Sequence, residues 1–182
     1  MPEWAALFAE CAPQVVVHDW NHPPADRSLI DVALVWEPDT GVLASFPRLQ
    51  VICSSAAGVD HILADAQLPA QLPIVRMVTA ESQQRMAEFC LMAVLMLQKN
   101  MPRVGVQHRQ RQWIEFNPPH VAADITVGIL GLGTLGSAVA RQLRAVGYGV
   151  RGWSQTRKHV DGVTSFCGDA ELPQFLSGCQ VL

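Results

Sequence analysis

Short hydrophobic runs alternate with segments of helical periodicity along this chain of 182 residues. The runs rich in β-branched and aromatic residues are predicted as strands at 14–20, 31–36, 50–54 and 73–77. Helical patterns cover 4–11 and the residues from about 60 to 65. Because short strands alternate with helices, the pattern predicts an α/β domain with a parallel sheet.

A longer helical pattern begins at an N-cap near Thr79 or Ser82 and is expected to stop at Pro102. Its C-terminal half is apolar nearly all round, which predicts a helix that is buried on most sides. We interpret this helix as the link between two domains. The first domain is expected at residues 1–96 and the second at residues 97–182.

The charge balance argues against a nucleic-acid partner. Charged residues make up 16% of the chain and the net charge is −3, whereas a nucleic-acid surface needs clustered cations that displace counterions from phosphates. The basic segment 103–113 is interpreted as a solvated helix or loop, with an anion site as the alternative. Hydrophobic residues make up 49% of the chain, which is enough to build a core.

The cysteines and the termini bear on compartment and membrane association. The five cysteines form no C-x-x-C pair and have no zinc-like spacing with histidine, so no metal site is predicted. Scattered thiols inside apolar runs favour a reducing, cytoplasmic compartment. The longest apolar run, at 89–97, is too short to span a bilayer, and the N-terminus lacks the basic region of a signal peptide. No membrane partner is expected.

The strongest signal is a glycine-rich turn between a predicted strand at 125–130 and a predicted helix at 137–146. The turn reads Gly131-Leu132-Gly133-Thr134-Leu135-Gly136 and fits G-x-G-x-x-G. A second strand is predicted at 150–153. In this context the motif predicts a dinucleotide-binding unit, and a glycine turn in an unrelated α/β fold is the alternative.

Each glycine of the turn has an expected task. Gly131 permits the tight turn, Gly133 lets a pyrophosphate approach the backbone, and Gly136 lets the helix pack close to the sheet. The N–H groups at the start of the helix, including those of Thr134 and Leu135, are expected to hold the phosphates.

The end of the second strand indicates which dinucleotide is bound. An NAD site usually places a carboxylate there to accept hydrogen bonds from the ribose 2′-hydroxyl. This chain instead has Ser154, Gln155, Thr156, Arg157 and Lys158. Two cations and two hydroxyls could hold a 2′-phosphate, which predicts NADP(H) rather than NAD(H). The alternative is a solvated basic turn, and even then the missing carboxylate counts against NAD.

These motifs resemble the D-2-hydroxyacid dehydrogenase family. The resemblance rests on VGILGLGTLGSAVARQL with RGWSQTRK, on SSAAGVDHIL at 54–63 and on MAEF at 86–89, and it covers nearly the whole chain. It implies a flavodoxin-like substrate domain that closes over a Rossmann domain with a doubly wound parallel sheet. It also implies hydride transfer from NADPH to the keto carbon of a small 2-ketoacid, glyoxylate or hydroxypyruvate, and a homodimer for the complete protein.

The resemblance also implies a substrate-binding loop. Backbone N–H groups of Ala57, Gly58 and Val59 would bind the substrate carboxylate, as successive N–H groups in a turn form an anion nest. The alternative is that Gly58 merely serves a strand-to-helix turn. Gln155 departs from the pattern, because similar family members often carry Arg there, and this weakens the case for a 2′-phosphate.

The chain is expected to be incomplete at both ends. The substrate domain lacks its first strand, and residues 125–182 supply about one of the two halves of a doubly wound domain. The Arg, Glu and His that the resemblance implies for catalysis lie beyond Leu182, so no catalytic residue is predicted here. His61, beside the substrate loop, is expected to be structural. The alternative function is a non-catalytic dinucleotide-binding fragment or a pseudo-enzyme. In either case, the chain alone is expected to be poorly stable or to self-associate.

Overall fold

The computed structural model describes the backbone of residues 2–182 and the side chains of residues 4–182. It contains two compact units that divide between Val78 and Thr79. Each unit is built around a parallel sheet of three strands. The interpretation of the long helix as a linker places the boundary at residues 96 and 97, whereas in the structure the whole helix packs within the second unit.

The first unit is a small α/β layer. Its elements in chain order are α1 (Pro2–Cys11), β1 (Val32–Val35), β2 (Val51–Ser54), α2 (Asp60–Leu63) and β3 (Ile74–Arg76). The strand order is β1-β2-β3, so β2 lies in the middle. Its buried core consists of Ala33, Val35, Leu43, Phe46, Leu49, Ile52 and Ile62. Because the strands are parallel, the loops that follow them leave from the same edge of the sheet.

The prediction of a strand at 14–20 is wrong. Within the described residues this segment pairs with no strand, and Val16 remains 78% exposed. The N–H of Val15 donates locally to the carbonyl of Ala12, at 2.9 Å. β-Branched residues favour extended backbone locally, but a strand also needs a partner for its ladder hydrogen bonds, and composition does not specify that partner.

The second unit repeats the α/β order on a larger scale. Its elements in chain order are α3 (Ala80–Gln98), α4 (Met101–Arg109), β4 (Thr126–Leu130), α5 (Thr134–Val146), β5 (Gly149–Ser154), β6 (Thr164–Cys167) and α6 (Gly168–Leu176). The strand order is β4-β5-β6. A parallel bridge joins Val127 to Val181, beyond α6. The core includes Val127, Leu132, Val139, Ala140, Leu143, Tyr148 and Val150.

Helix α3 begins as the sequence predicts. The hydroxyl of Thr79 accepts a hydrogen bond from the N–H of Ser82, and the hydroxyl of Ser82 accepts one from the N–H of Thr79, each at 3.0 Å. These reciprocal bonds form a capping box that fixes the start of the helix. The helix ends at Gln98 rather than at Pro102, which lies in the first turn of α4, where its missing N–H costs nothing.

The expectation that the C-terminal half of α3 is buried on most sides is wrong. One face, which includes Ala87 and Val94, is buried against the core of the second unit, whereas Phe89 and Leu97 are 60% and 62% exposed. Helix α5 is the main partner of α3 and covers a single face. In residues 2–182, no helix is both long and apolar enough to cross a membrane.

Candidate dinucleotide and anion sites

The turn between β4 and α5 is held against the neighbouring strand. Gly131 has a φ of 103°, in the left-handed region that favours glycine, and its N–H donates to the carbonyl of Trp153 at 2.7 Å. The side chain of Leu132 is buried, and the absence of a side chain at Gly152 makes room for it, because a β-carbon there would lie 2.4 Å from Leu132 Cδ1. These contacts fix the backbone of the turn where it leaves the sheet.

Two glycines of the motif differ in what surrounds them. A β-carbon on Gly136 would lie 1.8 Å from the carbonyl oxygen of Gly131, so no side chain fits between helix and turn. A β-carbon on Gly133 would have no atom of the described residues within 4 Å. The first glycine thus allows close packing of α5, and the second faces open space that a ligand could occupy.

The start of α5 presents unpaired donors at this open space. The N–H groups of Thr134, Leu135 and Gly136 belong to the first turn of a 13-residue helix and have no intrahelical acceptor. Gly133, at the N-cap, supplies no side-chain cap, and the first turn holds no acidic residue. Since the helix macrodipole adds partial positive charge here, the geometry suits a phosphate or diphosphate.

Ser154, at the end of β5, binds the backbone of the glycine turn through its hydroxyl. Its side chain is buried, and its hydroxyl accepts a hydrogen bond from the N–H of Leu132 at 2.9 Å. The hydroxyl predicted to face a 2′-phosphate is therefore engaged with the backbone of the glycine turn. Gln155 and Thr156, the next two residues, are exposed.

The two cations predicted for the 2′-phosphate lie in different settings. Arg157 forms an ion pair with Glu171 of α6 and also donates to the carbonyl of Ser165, at 2.9 Å. The second carboxylate oxygen of Glu171 accepts from the N–H of Cys167 at 2.8 Å, so this ion pair is tied to the start of α6. Lys158 is exposed, and in the described part of the chain its ammonium group has no ion-pair partner.

The loop after β2 has three successive carbonyls that accept hydrogen bonds. The carbonyl of Ala56 accepts from the N–H of Met77 at 3.1 Å. The carbonyl of Ala57 accepts from Nη1 of Arg76 at 3.2 Å, and the carbonyl of Gly58 accepts from the hydroxyl of Ser54 at 3.0 Å. All three bonds connect the loop to the ends of β2 and β3.

This pattern determines where the amide hydrogens point. In a planar trans peptide, the carbonyl of one residue and the N–H of the next point in opposite directions. Tethering the carbonyls of residues 56, 57 and 58 therefore turns the N–H groups of Ala57, Gly58 and Val59 away from the sheet ends. Among residues 2–182, none of these three N–H groups has an acceptor. A run of three free donors is the arrangement of an anion nest.

His61 and Cys53 lie near this loop, and both are residue types that can act as proton donors or nucleophiles. The ring of His61 packs against Trp36, with centroids 4.5 Å apart, and its Nε2 is buried without a hydrogen-bond partner in the described structure. Burial raises the pKa of the Cys53 thiol, so this thiol is protonated near neutral pH.

Sequence reasoning did not find two residues of these sites. Arg76 is 19 positions from the carbonyl that it binds, and Glu171 is 14 positions from Arg157. Neither residue has a local motif around it. Only the pairing of β2 with β3 and the return of α6 past β5 bring these groups together.

Comparison with known proteins identifies the second unit. Residues 91–182 match a domain family, the NAD binding domain of D-isomer specific 2-hydroxyacid dehydrogenases. The chain is also 37% identical over 185 residues to a curated glyoxylate/hydroxypyruvate reductase A from Serratia proteamaculans and 36% identical to one from Yersinia enterocolitica. These matches cover 99% of this chain and 58% of each relative, so the chain spans less than two thirds of their length.

Solved structures agree with these relatives. The chain is similar to a D-isomer specific 2-hydroxyacid dehydrogenase from Xanthobacter autotrophicus Py2 in complex with NADPH and MES, with a TM-score of 0.87 and 35% identity. An NADPH-dependent glyoxylate/hydroxypyruvate reductase from Sinorhizobium meliloti, in complex with NADP and sulfate, matches with the same two values. Each match covers 98% of this chain and 57% of the solved one. The predicted α/β class, a flavodoxin-like domain followed by part of a Rossmann domain, is confirmed.

Proposed function

Because the chain belongs to the D-isomer specific 2-hydroxyacid dehydrogenase family, we propose that it binds NADP(H) and forms part of a reductase of small 2-ketoacids. The substrate class is that of glyoxylate and hydroxypyruvate, which give their names to the curated relatives. The first unit would form part of the substrate-binding domain and the second unit part of the dinucleotide-binding domain. The chain spans 58% of those relatives, so the activity is proposed for the whole protein.

One observation carries the dinucleotide assignment. Unpaired N–H groups at the start of α5 face the open space beside Gly133, where a side chain would find no neighbour within 4 Å. A diphosphate needs both features, namely donors that are not already engaged and a backbone that can be approached closely. Thr134, Leu135 and Gly136 would donate to its oxygens, and Gly131 would shape the turn.

The preference for NADP(H) over NAD(H) has independent support. Residues 155–158, which follow β5 directly, include Lys158 and no carboxylate, so they favour a 2′-phosphate over a free 2′-hydroxyl. Gln155 and Thr156 are exposed in the same segment and could donate to phosphate oxygens. Solved relatives at 35% identity contain NADPH or NADP.

The substrate would bind through its carboxylate to the N–H groups of Ala57, Gly58 and Val59. When NADPH is bound, the hydride for reduction of the keto group would come from its nicotinamide. This chain's own residues hold the two ligands: the nest orients the carboxylate, and the glycine turn anchors the diphosphate. Holding the two reactants in the correct orientation lowers the entropic cost of the reaction. The carboxylate is the main group for this purpose, because a small 2-ketoacid has few other groups that a protein can bind.

The proposed homodimer and cytoplasmic compartment are supported by exposed apolar side chains and by free thiols. Half-exposed apolar residues along α3, such as Phe89 and Met92, support a homodimer of the complete protein. A monomeric sedimentation coefficient of the complete protein at micromolar concentration would contradict this.

All five cysteines are free, which supports a reducing, cytoplasmic compartment. Recovery of the protein from the periplasm of fractionated cells would contradict that compartment.

Calorimetric titration with NADPH and NADH tests the dinucleotide assignment. We expect NADPH to bind more tightly than NADH. The variant Gly133→Ala should bind NADPH on the order of a hundredfold more weakly, since its methyl group occupies the approach of the diphosphate. The melting temperature should not change, because that methyl group meets no protein atom.

Gly105→Ala is the matched control. Gly105 lies in α4, and a β-carbon there makes only an ordinary contact of 3.6 Å with Arg109, so this variant should bind NADPH normally. Equal affinities of Gly133→Ala and the wild type would refute the assignment. Loss of NADPH absorbance on adding glyoxylate reports turnover separately, and binding without turnover would identify a dinucleotide-binding fragment.

A further inference from the structure

Arg76 occupies a distinctive place at the end of β3. It lies beside Ser54, the last residue of β2, in the register of the parallel pair. Its Nη1 donates to the carbonyl of Ala57, and the N–H of the next residue, Met77, donates to the carbonyl of Ala56. The end of β3 thus tethers two successive carbonyls of the loop that follows β2.

The charge of Arg76 is not compensated, unlike that of another arginine in the same unit. Arg48 forms an ion pair with Asp31 at 3.3 Å, and both residues precede their strands, at the opposite edge of the sheet. For Arg76, the side chains of residues 4–182 provide no carboxylate within ion-pair distance. A full positive charge therefore lies beside the three unpaired N–H groups of the loop.

We propose that Arg76 is the positioning residue of this anion nest, and that it tunes the affinity of the nest for a carboxylate. By binding the carbonyl of Ala57, the guanidinium directs the N–H of Gly58, in the same peptide unit, away from the sheet. A hydrogen bond to the carbonyl also polarises that peptide, which makes its N–H a stronger donor. The guanidinium adds long-range attraction for an anion.

This inference rests on the proposed function for the identity of the anion, a small 2-ketoacid. Beyond that function, Arg76 of the first unit contributes part of the affinity for the substrate. Arg76 acts through the loop and is not a catalytic residue. Its removal should therefore weaken binding of the carboxylate far more than it slows the chemical step at saturation.

The test uses oxalate, a dianion that resembles a 2-ketoacid and cannot be reduced at a keto carbon. Its dissociation constant is measured by calorimetry in the presence of NADPH. The variant Arg76→Met keeps the apolar stem and removes the charge and the fork of donors, and should raise that constant about tenfold. In a glyoxylate assay of the complete protein, KM should rise by a similar factor while kcat changes much less. Arg76→Lys should recover part of the affinity, since it keeps the charge.

Arg48→Met is the matched control, because it removes the same charge from the same sheet at the opposite edge. Equal oxalate affinities of Arg76→Met and Arg48→Met would overturn the proposal. The proposal would also be overturned if Arg76→Met lowered the melting temperature and the NADPH affinity enough to explain its whole loss of oxalate affinity. A wild-type chain that binds NADPH but not oxalate would overturn this inference and leave the dinucleotide assignment intact. A wild-type chain that binds oxalate but not NADPH would overturn only the dinucleotide assignment.

Discussion

Two loops of this chain present free N–H groups at the ends of parallel strands, and they achieve this in different ways. The turn at 131–136 relies on glycine and on the start of a 13-residue helix. The loop at 57–59 is followed by a helix of only four residues, so it depends instead on tethered carbonyls. In the first loop the steric constraint lies within the motif. In the second loop, the tethering side chains are Ser54, at the end of the preceding strand, and Arg76, which is 19 positions from the carbonyl that it binds.

The two loops share one device, a serine at the end of the middle strand. Ser54 ends β2, and its hydroxyl accepts from the N–H of Ala56 and donates to the carbonyl of Gly58 in the loop of its own strand. Ser154 ends β5, and its hydroxyl accepts from the N–H of Leu132 in the loop of the neighbouring strand β4. A buried hydroxyl at the end of the middle strand can therefore fix the backbone of the loop after its own strand or of the loop after the neighbouring strand.

The largest effect is expected from breaking the steric constraint of the glycine turn. In Gly136→Ala, the new methyl group would lie 1.8 Å from a backbone oxygen, so α5 must move away from the turn. We expect the second unit to lose about 3 kcal/mol of unfolding free energy and NADPH binding to disappear. Urea unfolding and calorimetry measure the two effects.

Gly133→Ala serves as the control for this change. It adds the same methyl group to the same turn at a place with no neighbour within 4 Å, and should retain the stability of the wild type. A Gly136→Ala variant with wild-type stability would mean that the close contact between helix and turn is not required.

A smaller effect, shared by both loops, is expected from removing the serine hydroxyls. Ser54→Ala leaves two part-buried backbone groups without their partner, which should cost about 2 kcal/mol in total. Ser154→Ala leaves one buried N–H without its partner, which should cost about 1 kcal/mol. Each loss should weaken only the ligand of its own loop, oxalate for Ser54 and NADPH for Ser154. Titration of both variants with both ligands measures this, and loss of the two affinities together in either variant would contradict independent fixation of the loops.

The same contrast explains what could be predicted from the sequence. The turn, the helix and both strands of the dinucleotide unit were predicted to within a few residues, because glycine spacing and periodicity are local. The N–H groups of Ala57, Gly58 and Val59 were inferred by family resemblance, while the residues that direct them were not found. Arg76 carries no signal of its own, since its role exists only once β2 and β3 pair.

The errors have the same origin. The run QVVVHDW at 14–20 has strong β-propensity, yet pairing is a property of two segments and not of one. The apolar surface of α3 indicates that it packs against something, but not how many of its faces the chain itself covers. Local rules therefore predicted the elements, and long-range contacts determined which of their faces and donors remain free.

The smallest effect concerns whether the glycine-turn site also depends on a distant side chain. Arg157 is paired with Glu171, so its charge is largely neutralised, while Lys158 is unpaired in the described structure. We expect Lys158→Gln to raise the dissociation constant of NADPH about fivefold and to leave that of NADH unchanged. The difference should shrink at high salt, because exposed charges are screened. Calorimetric titrations at two salt concentrations measure it.

Arg157→Gln separates a recognising cation from a supporting one. If Arg157 mainly joins the turn after β5 to α6 through Glu171, its loss should change the NADPH and NADH constants by the same small factor. A selective loss of NADPH affinity in Arg157→Gln, with none in Lys158→Gln, would show that the ion pair opens to take the 2′-phosphate. In that case Glu171 would act like Arg76, as a group distant in sequence that controls a donor, and both loops would depend on such a group.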